Sequence, residues 1–183
     1  MKTVTTLLAS LMLALGLSAC DNGGESNPIQ QQSAISDCGG YILDSPSMKS
    51  PMGDAATYCD AEMLHWSYDA NTGTLSLANN RVLLNCCGDH SMRIAEDAGT
   101  YVITERDAPE GGSGRCDCMC VFDFTLEAQN LPAGQLPFRL VRNVTDGDGA
   151  QVVWQGDIDL AQGAGSITVD TTDVEPWCSG FLE

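Results

Sequence analysis

The sequence predicts an all-β domain: a disulfide-stapled antiparallel β-sandwich, Ig-like in general architecture, with a β-barrel as the alternative way to close the same strands. Three observations carry that expectation. Apolar and polar residues alternate over runs of strand length. Gly, Asn and Asp clusters break those runs at spacings of about ten residues, and no helical apolar repeat follows the N-terminal segment. Cysteines beyond position 20 supply the cross-links.

Taken in order, residues 1–19 form a targeting signal, with Lys2 as the charged start and an apolar run over 7–17 too short to span a bilayer. Its end, Leu17-Ser18-Ala19-Cys20, resembles the lipobox of bacterial lipoproteins. That resemblance implies that Cys20 becomes the mature N-terminus, carries the lipid and makes the membrane a partner. It places the chain in the bacterial cell envelope, on the periplasmic or outer-surface side. Several acyl chains on one residue hold a protein where a single chain would let it go. Asp21 resembles the inner-membrane retention signal of enterobacterial lipoproteins. Residues 20–36 have no apolar periodicity and read as the lipidated cysteine plus a flexible tether, which leaves 37–183 as a single domain.

Inside that domain, residues 41–43 read as one short strand in an irregular stretch bracketed by Cys38 and Cys59. Residues 64–68 and 75–77 alternate around Asp69-Ala70-Asn71-Thr72-Gly73 and predict a hairpin, after which Asn79-Asn80 reads as a turn into 82–86. Residues 91–96 and 100–106 predict a second hairpin. A strand over 138–144 follows later, and 152–160 with 166–171 predict a last pair. Between these, 116–127 alternates so that Cys116, Cys118, Cys120, Phe122, Phe124 and Leu126 share a core face. Asp117, Met119, Asp123, Thr125 and Glu127 fall on a wet face, with Val121 as its apolar exception.

Three cysteines thus point inward in a row. Alternate residues on a strand stand about 6.6 Å apart, whereas a disulfide brings Cβ atoms to about 3.8 Å, so these three cannot readily bond one another. Each needs a partner from Cys38, Cys59, Cys86, Cys87 and Cys178, and the two left over pair together. A bond between adjacent Cys86 and Cys87 is strained, so at least one of them is expected to reach the cysteine strand, and Cys178 to staple the C-terminal tail. The bridges are expected at one end of a hydrophobic layer, largely shielded from solvent. The alternative is an extracytoplasmic copper or zinc protein in which Cys86, Cys87, His90, Cys116, Cys118 and Cys120 offer soft ligands. A straight strand spreads the sulfurs apart, and an oxidising compartment favours disulfides.

Other residues carry weaker chemistry. His65 falls on the polar side of its strand and reads as solvated. Asp146-Gly147-Asp148-Gly149 is turn chemistry without the bidentate glutamate of a calcium loop, and Asp157 with Asp159 makes only a wet strand face. No nucleophile elbow, zinc-protease motif or phosphate-cradling glycine loop occurs, so no catalytic residue and no cofactor is assigned. A net charge of −17 with scattered acids speaks against nucleic acid and anionic surfaces as partners. The expectation is a membrane-anchored binding or structural module whose partner is an envelope protein or ligand.

Overall fold

The computed structural model describes residues 28–40, 62–112 and 114–171. Their strands are β1 Gln30–Ile35, β2 Glu62–Asp69, β3 Thr74–Asn85, β4 Gly88–Asp97, β5 Thr100–Pro109, β6 Met119–Gln129, β7 Gln135–Val144, β8 Gly149–Asp159 and β9 Ala164–Asp170. The first sheet runs β1-β6-β3-β2-β9 and the second β4-β5-β7-β8, two stacked layers that do not close into a barrel. Leu64, Leu75, Phe124 and Leu126 of the first layer share one core with Ile94, Ile103, Phe138 and Leu140 of the second, all of them buried. Burial of side chains this size stabilises the fold by about 1.5–3 kcal/mol each. On one flank the layers are joined by Gln31 of β1, whose Nε2 donates to the Ile94 carbonyl at 3.0 Å while its Oε1 accepts from Ile94 N at 2.7 Å.

The sandwich and the two hairpins match expectation, and several details differ for definable reasons. The second sheet is mixed: β5 and β7 run parallel, because the chain leaves β5 for β6 in the other sheet and comes back in the original direction. The last two strands do not pair with each other; β8 lies on β7, and β9 crosses to the first sheet to lie on β2. Gln30–Ile35, read as tether, is the edge strand β1. It shows no apolar alternation because it is almost wholly exposed, and what holds it is backbone pairing with β6 and the Gln31 contacts.

The turn read at Asn79-Asn80 is instead a bulge in the middle of β3. The pairing with β6 slips between Asn79 and Val82, so that Asn80 and Arg81 together oppose Asp123. The extra residue reverses the side-chain phase: Leu75, Leu77 and Asn79 face the core before it, and Val82 and Leu84 after it. Arg81 takes a left-handed φ of 69°, and its N–H donates to Asp123 Oδ1 at 3.0 Å.

The strand read over 116–127 begins only at Met119. Its wet face is also partly covered. Val121 and Asp123 are buried, and the chain at 36–40 lies along them, with Ser36 N donating to the Asp123 carbonyl and Gly39 N to the Val121 carbonyl, both at 2.9 Å. The proposed strand at 41–43 and the signal at 1–19 lie outside the described residues.

Candidate functional site

One end of the sandwich concentrates nearly all the chemistry. Cys86 bonds Cys118, Cys87 bonds Cys116 and Cys38 bonds Cys120, with Cα–Cα separations of 5.8, 5.4 and 5.6 Å. The geometry follows from strand register. Asn85 pairs with Met119 at the end of β3, so the next residues outward on the two chains are Cys86 and Cys118. On the opposite side of β6, Cys38 follows β1 and comes level with Cys120. The lead into β6 is therefore pinned from both neighbouring strands. No bond joins two of the three strand cysteines, and none joins Cys86 to Cys87, as strand geometry requires.

Shielding is less complete than the alternation implied. Cys120 is fully buried, whereas Cys116 and Cys118 are exposed because residues 116–118 run past the end of the sheet. Cys20, Cys59 and Cys178 lie outside the described residues.

Beneath the bridges sits a charged cluster centred on Asp107 of β5, which is 2% exposed. Arg115, one residue before Cys116, joins Asp107 to Asp146 of the β7–β8 turn, with its Nε donating to Asp146 Oδ2 at 2.9 Å. Hydrogen bonds donated to Asp146 and Asp107 keep the guanidinium charged, and the same contact with Arg115 lowers the Asp146 carboxyl. Asn85 N also points at Asp107 Oδ2, at 3.4 Å. His90 of β4 places Nε2 3.3 Å from Asp107 Oδ1, off the line of a hydrogen bond, and packs its ring 4.4 Å from that of Phe122. Burial lowers its pKa against the opposing pull of Asp107, so His90 is neutral near pH 7.

One layer deeper, a second cluster ties the two sheets together. Glu62 of β2 and Asn79 of β3 come from the first sheet, Glu105 of β5 and Arg142 of β7 from the second. Asn79 Nδ2 lies 2.9 Å from Glu62 Oε1 and 2.5 Å from Glu105 Oε1. Arg142 Nη2 reaches Glu62 Oε1 at 2.5 Å and Glu105 Oε2 at 2.8 Å, and its Nε reaches Glu105 Oε2 at 3.1 Å. Burial raises the pKa of Glu105 even with Arg142 beside it. Burial also works against the Arg142 charge, but Glu105 and Glu62 outweigh it and hold the guanidinium protonated.

The arrangement is suited to holding the sheets in register. In the bonded state the sulfurs of Cys86, Cys87, Cys116, Cys118 and Cys120 are committed, and His90 faces Asp107 and Phe122 rather than the sulfurs. A soft-metal site built from these residues requires the bridges to be reduced. Among the described residues, no three His, Cys, Asp or Glu side chains converge as a metal site. Asp146 of the Asp-Gly-Asp-Gly turn is engaged by Arg115. His65 is only partly exposed, not freely solvated, and its Nε2 is buried without a partner.

Fold and site together define a disulfide-stapled two-sheet β domain with ion pairs joining its layers. No protein-family model, no curated protein and no solved structure matches the chain.

Sequence reading brought the cysteines to the correct end but did not single out Glu62, Asn79, Glu105, Asp107, Arg115 or Arg142. One signal was available. In β5 the core-face residues Tyr101 and Ile103 are followed at the same two-residue period by Glu105 and Asp107, so two acids had to lie on the buried side.

Proposed function

We propose that this chain is a lipid-anchored extracytoplasmic lipoprotein of the bacterial envelope, acting as a binding or structural module. The observation that carries the reading is the set of three disulfides converging on the start of β6. Disulfides persist in oxidising compartments outside the cytoplasm. The lipobox-like Leu17-Ser18-Ala19-Cys20 supplies the anchor, and Pro28, the first described residue, follows eight residues later, so the fold stands within about 30 Å of the lipid even at full extension of the intervening chain. The cross-linked scaffold, and the use of Glu62, Glu105 and Asp107 in ion pairs with Arg142 and Arg115, favour a module over an enzyme.

The test is mass spectrometry of the mature N-terminal peptide together with fractionation of a Cys20→Ser variant. An acylated Cys20 as first residue, and release of the variant from membranes, is the expected pair of results. An unmodified N-terminus elsewhere rejects the anchor.

A further inference from the structure

We propose that Arg81 anchors an oxyanion-binding site on the first sheet, one that takes a carboxylate or phosphate group carried by a small ligand. This does not rest on the lipid-anchor reading. It gives a binding module a ligand class.

Arg81 is 3% exposed, and its Nε, Nη1 and Nη2 are all buried without a hydrogen-bond partner among the described residues. Arg142, a half-buried arginine between the sheets, is held by two carboxylates, so the fold does supply partners where a guanidinium is structural. A buried cation with none is costly, and an unsatisfied group of this kind in a native fold calls for an ion or ligand. The backbone adds a separate sign. Arg81 sits at φ 69°, a left-handed conformation costly for any residue with a side chain, inside a bulge fixed by the buried Asp123 carboxylate accepting its N–H. Bulges re-aim side chains, and strain of this kind persists where surroundings impose it.

A groove lies further along the same strands, its lining on β3 ending at Ala78, three residues before Arg81. This open groove of about 460 Å³ crosses the outer face of the first sheet, lined among others by His65, Ser67, Ala78, Thr125 and Glu127. Ala78 and Thr125 are paired with each other across β3 and β6, and the bulge follows within two residues of Ala78. His65 pairs with Ala78 from the other side, and its Nε2 is a second buried nitrogen without a partner. A guanidinium presents a planar fork of donors that matches the two oxygens of a carboxylate or phosphate, which sets the ligand class.

The test uses the purified full-length protein in detergent. Thermal unfolding is followed in series of sodium phosphate and of sodium acetate, with ionic strength held constant by sodium chloride. In the wild type the midpoint should rise with concentration of at least one anion and keep rising with its logarithm, as mass action requires. Arg81→Gly should abolish the rise, and Arg81→Lys, which keeps the charge but loses the fork, should bind roughly tenfold more weakly or worse. Arg93→Met, at an exposed position, should respond like the wild type. Glycine suits the left-handed backbone and removes an unpaired charge, so Arg81→Gly should match or exceed the wild-type midpoint in anion-free buffer. Three outcomes overturn the proposal: no wild-type response to either anion, an equal response in Arg81→Gly, or a lower anion-free midpoint in that variant. The last would mean that a carboxylate of the chain itself already neutralises Arg81.

Discussion

Glu105 and Arg142 stand opposite each other in the parallel β5–β7 pair, and Arg142 Nη2 donates to Glu105 Oε2 at 2.8 Å where Glu105 is completely buried. Because the same nitrogen reaches Glu62 on the other sheet, one guanidinium neutralises charge from both layers. Removing one partner of a buried pair strands the other. Arg142→Met should therefore cost about 3–5 kcal/mol in urea unfolding, and Arg142→Met combined with Glu105→Leu should recover a large part of that loss. A single variant as stable as the wild type would show that the clasp contributes nothing net.

Glu105 also sets a pH dependence. Burial raises its pKa, so the folded protein holds this proton to higher pH than the unfolded chain, whose glutamates titrate near about 4.3. Its contribution is thus greatest below that value and is lost as pH rises through the folded pKa. His90 acts in the opposite sense: burial lowers its pKa, so stability falls as pH drops below about 6.5 towards the folded value. Glu105→Gln removes the first effect alone. Its stability relative to the wild type should improve as pH is raised from 4.5 to 8, and a constant or declining difference in paired unfolding curves would falsify the assignment.

The strands were legible because alternation is a local property. β2, β4, β5 and β7 each place one set of alternate residues in the core, and that pattern survives without knowledge of neighbours. What was not legible depends on partners. The bulge at Arg81 reads as a turn because Asn79-Asn80 has turn chemistry and the apolar phase reverses there; the Asp123 carboxylate, 42 residues away, accepts the Arg81 N–H and holds the strand through it. β1 has no buried face to announce it. Asp123 and Val121 look solvent-facing from alternation, and their burial follows from a second stretch of chain packed on that face. Parity and spacing excluded bonds within the cysteine strand and between Cys86 and Cys87 but left about half of all pairings open, and choosing Cys38, Cys86 and Cys87 as the partners on β6 required the β1-β6-β3 order.

Gly88 tests how tightly the charged cluster is packed. It follows Cys87 directly, and a Cβ there would collide with Asp107 Oδ1 and with His90 Nε2. Both are held side chains, His90 by Phe122 and Asp107 by Arg115, so neither can swing away freely. Gly88→Ala should destabilise the domain by about 1–3 kcal/mol, the usual range for overpacking. Differential scanning calorimetry of the variant should show a lower midpoint. His90→Ala in the same background should recover part of the loss by opening the space.

The disulfides should not be equivalent. Cys38–Cys120 closes a sequence separation of 82, against 32 for Cys86–Cys118 and 29 for Cys87–Cys116. In the loop-entropy picture the long bridge contributes about 4–5 kcal/mol and each short one about 3–4. Each bridge has one exposed cysteine, Cys38, Cys118 or Cys116, and they differ in the partner, which is fully buried at Cys120 and only half-buried at Cys86 and Cys87, so graded reduction should open the two short bridges first and leave the domain folded until the long one yields. The same experiment counts the remaining thiols. All six described cysteines are bonded, and of the eight beyond Cys20 only Cys59 and Cys178 lie outside the described residues. Glu62 lies opposite Asp170 at the shared end of β2 and β9, so the chain enters β2 and leaves β9 at adjacent points, within tether reach of both cysteines. Thiol titration of the denatured, unreduced protein should therefore find no free thiol among the eight, and non-reducing peptide mapping should recover a Cys59–Cys178 peptide alongside the three described bridges. Two free thiols assigned to these positions would reject that fourth bond while leaving the β6 staple intact.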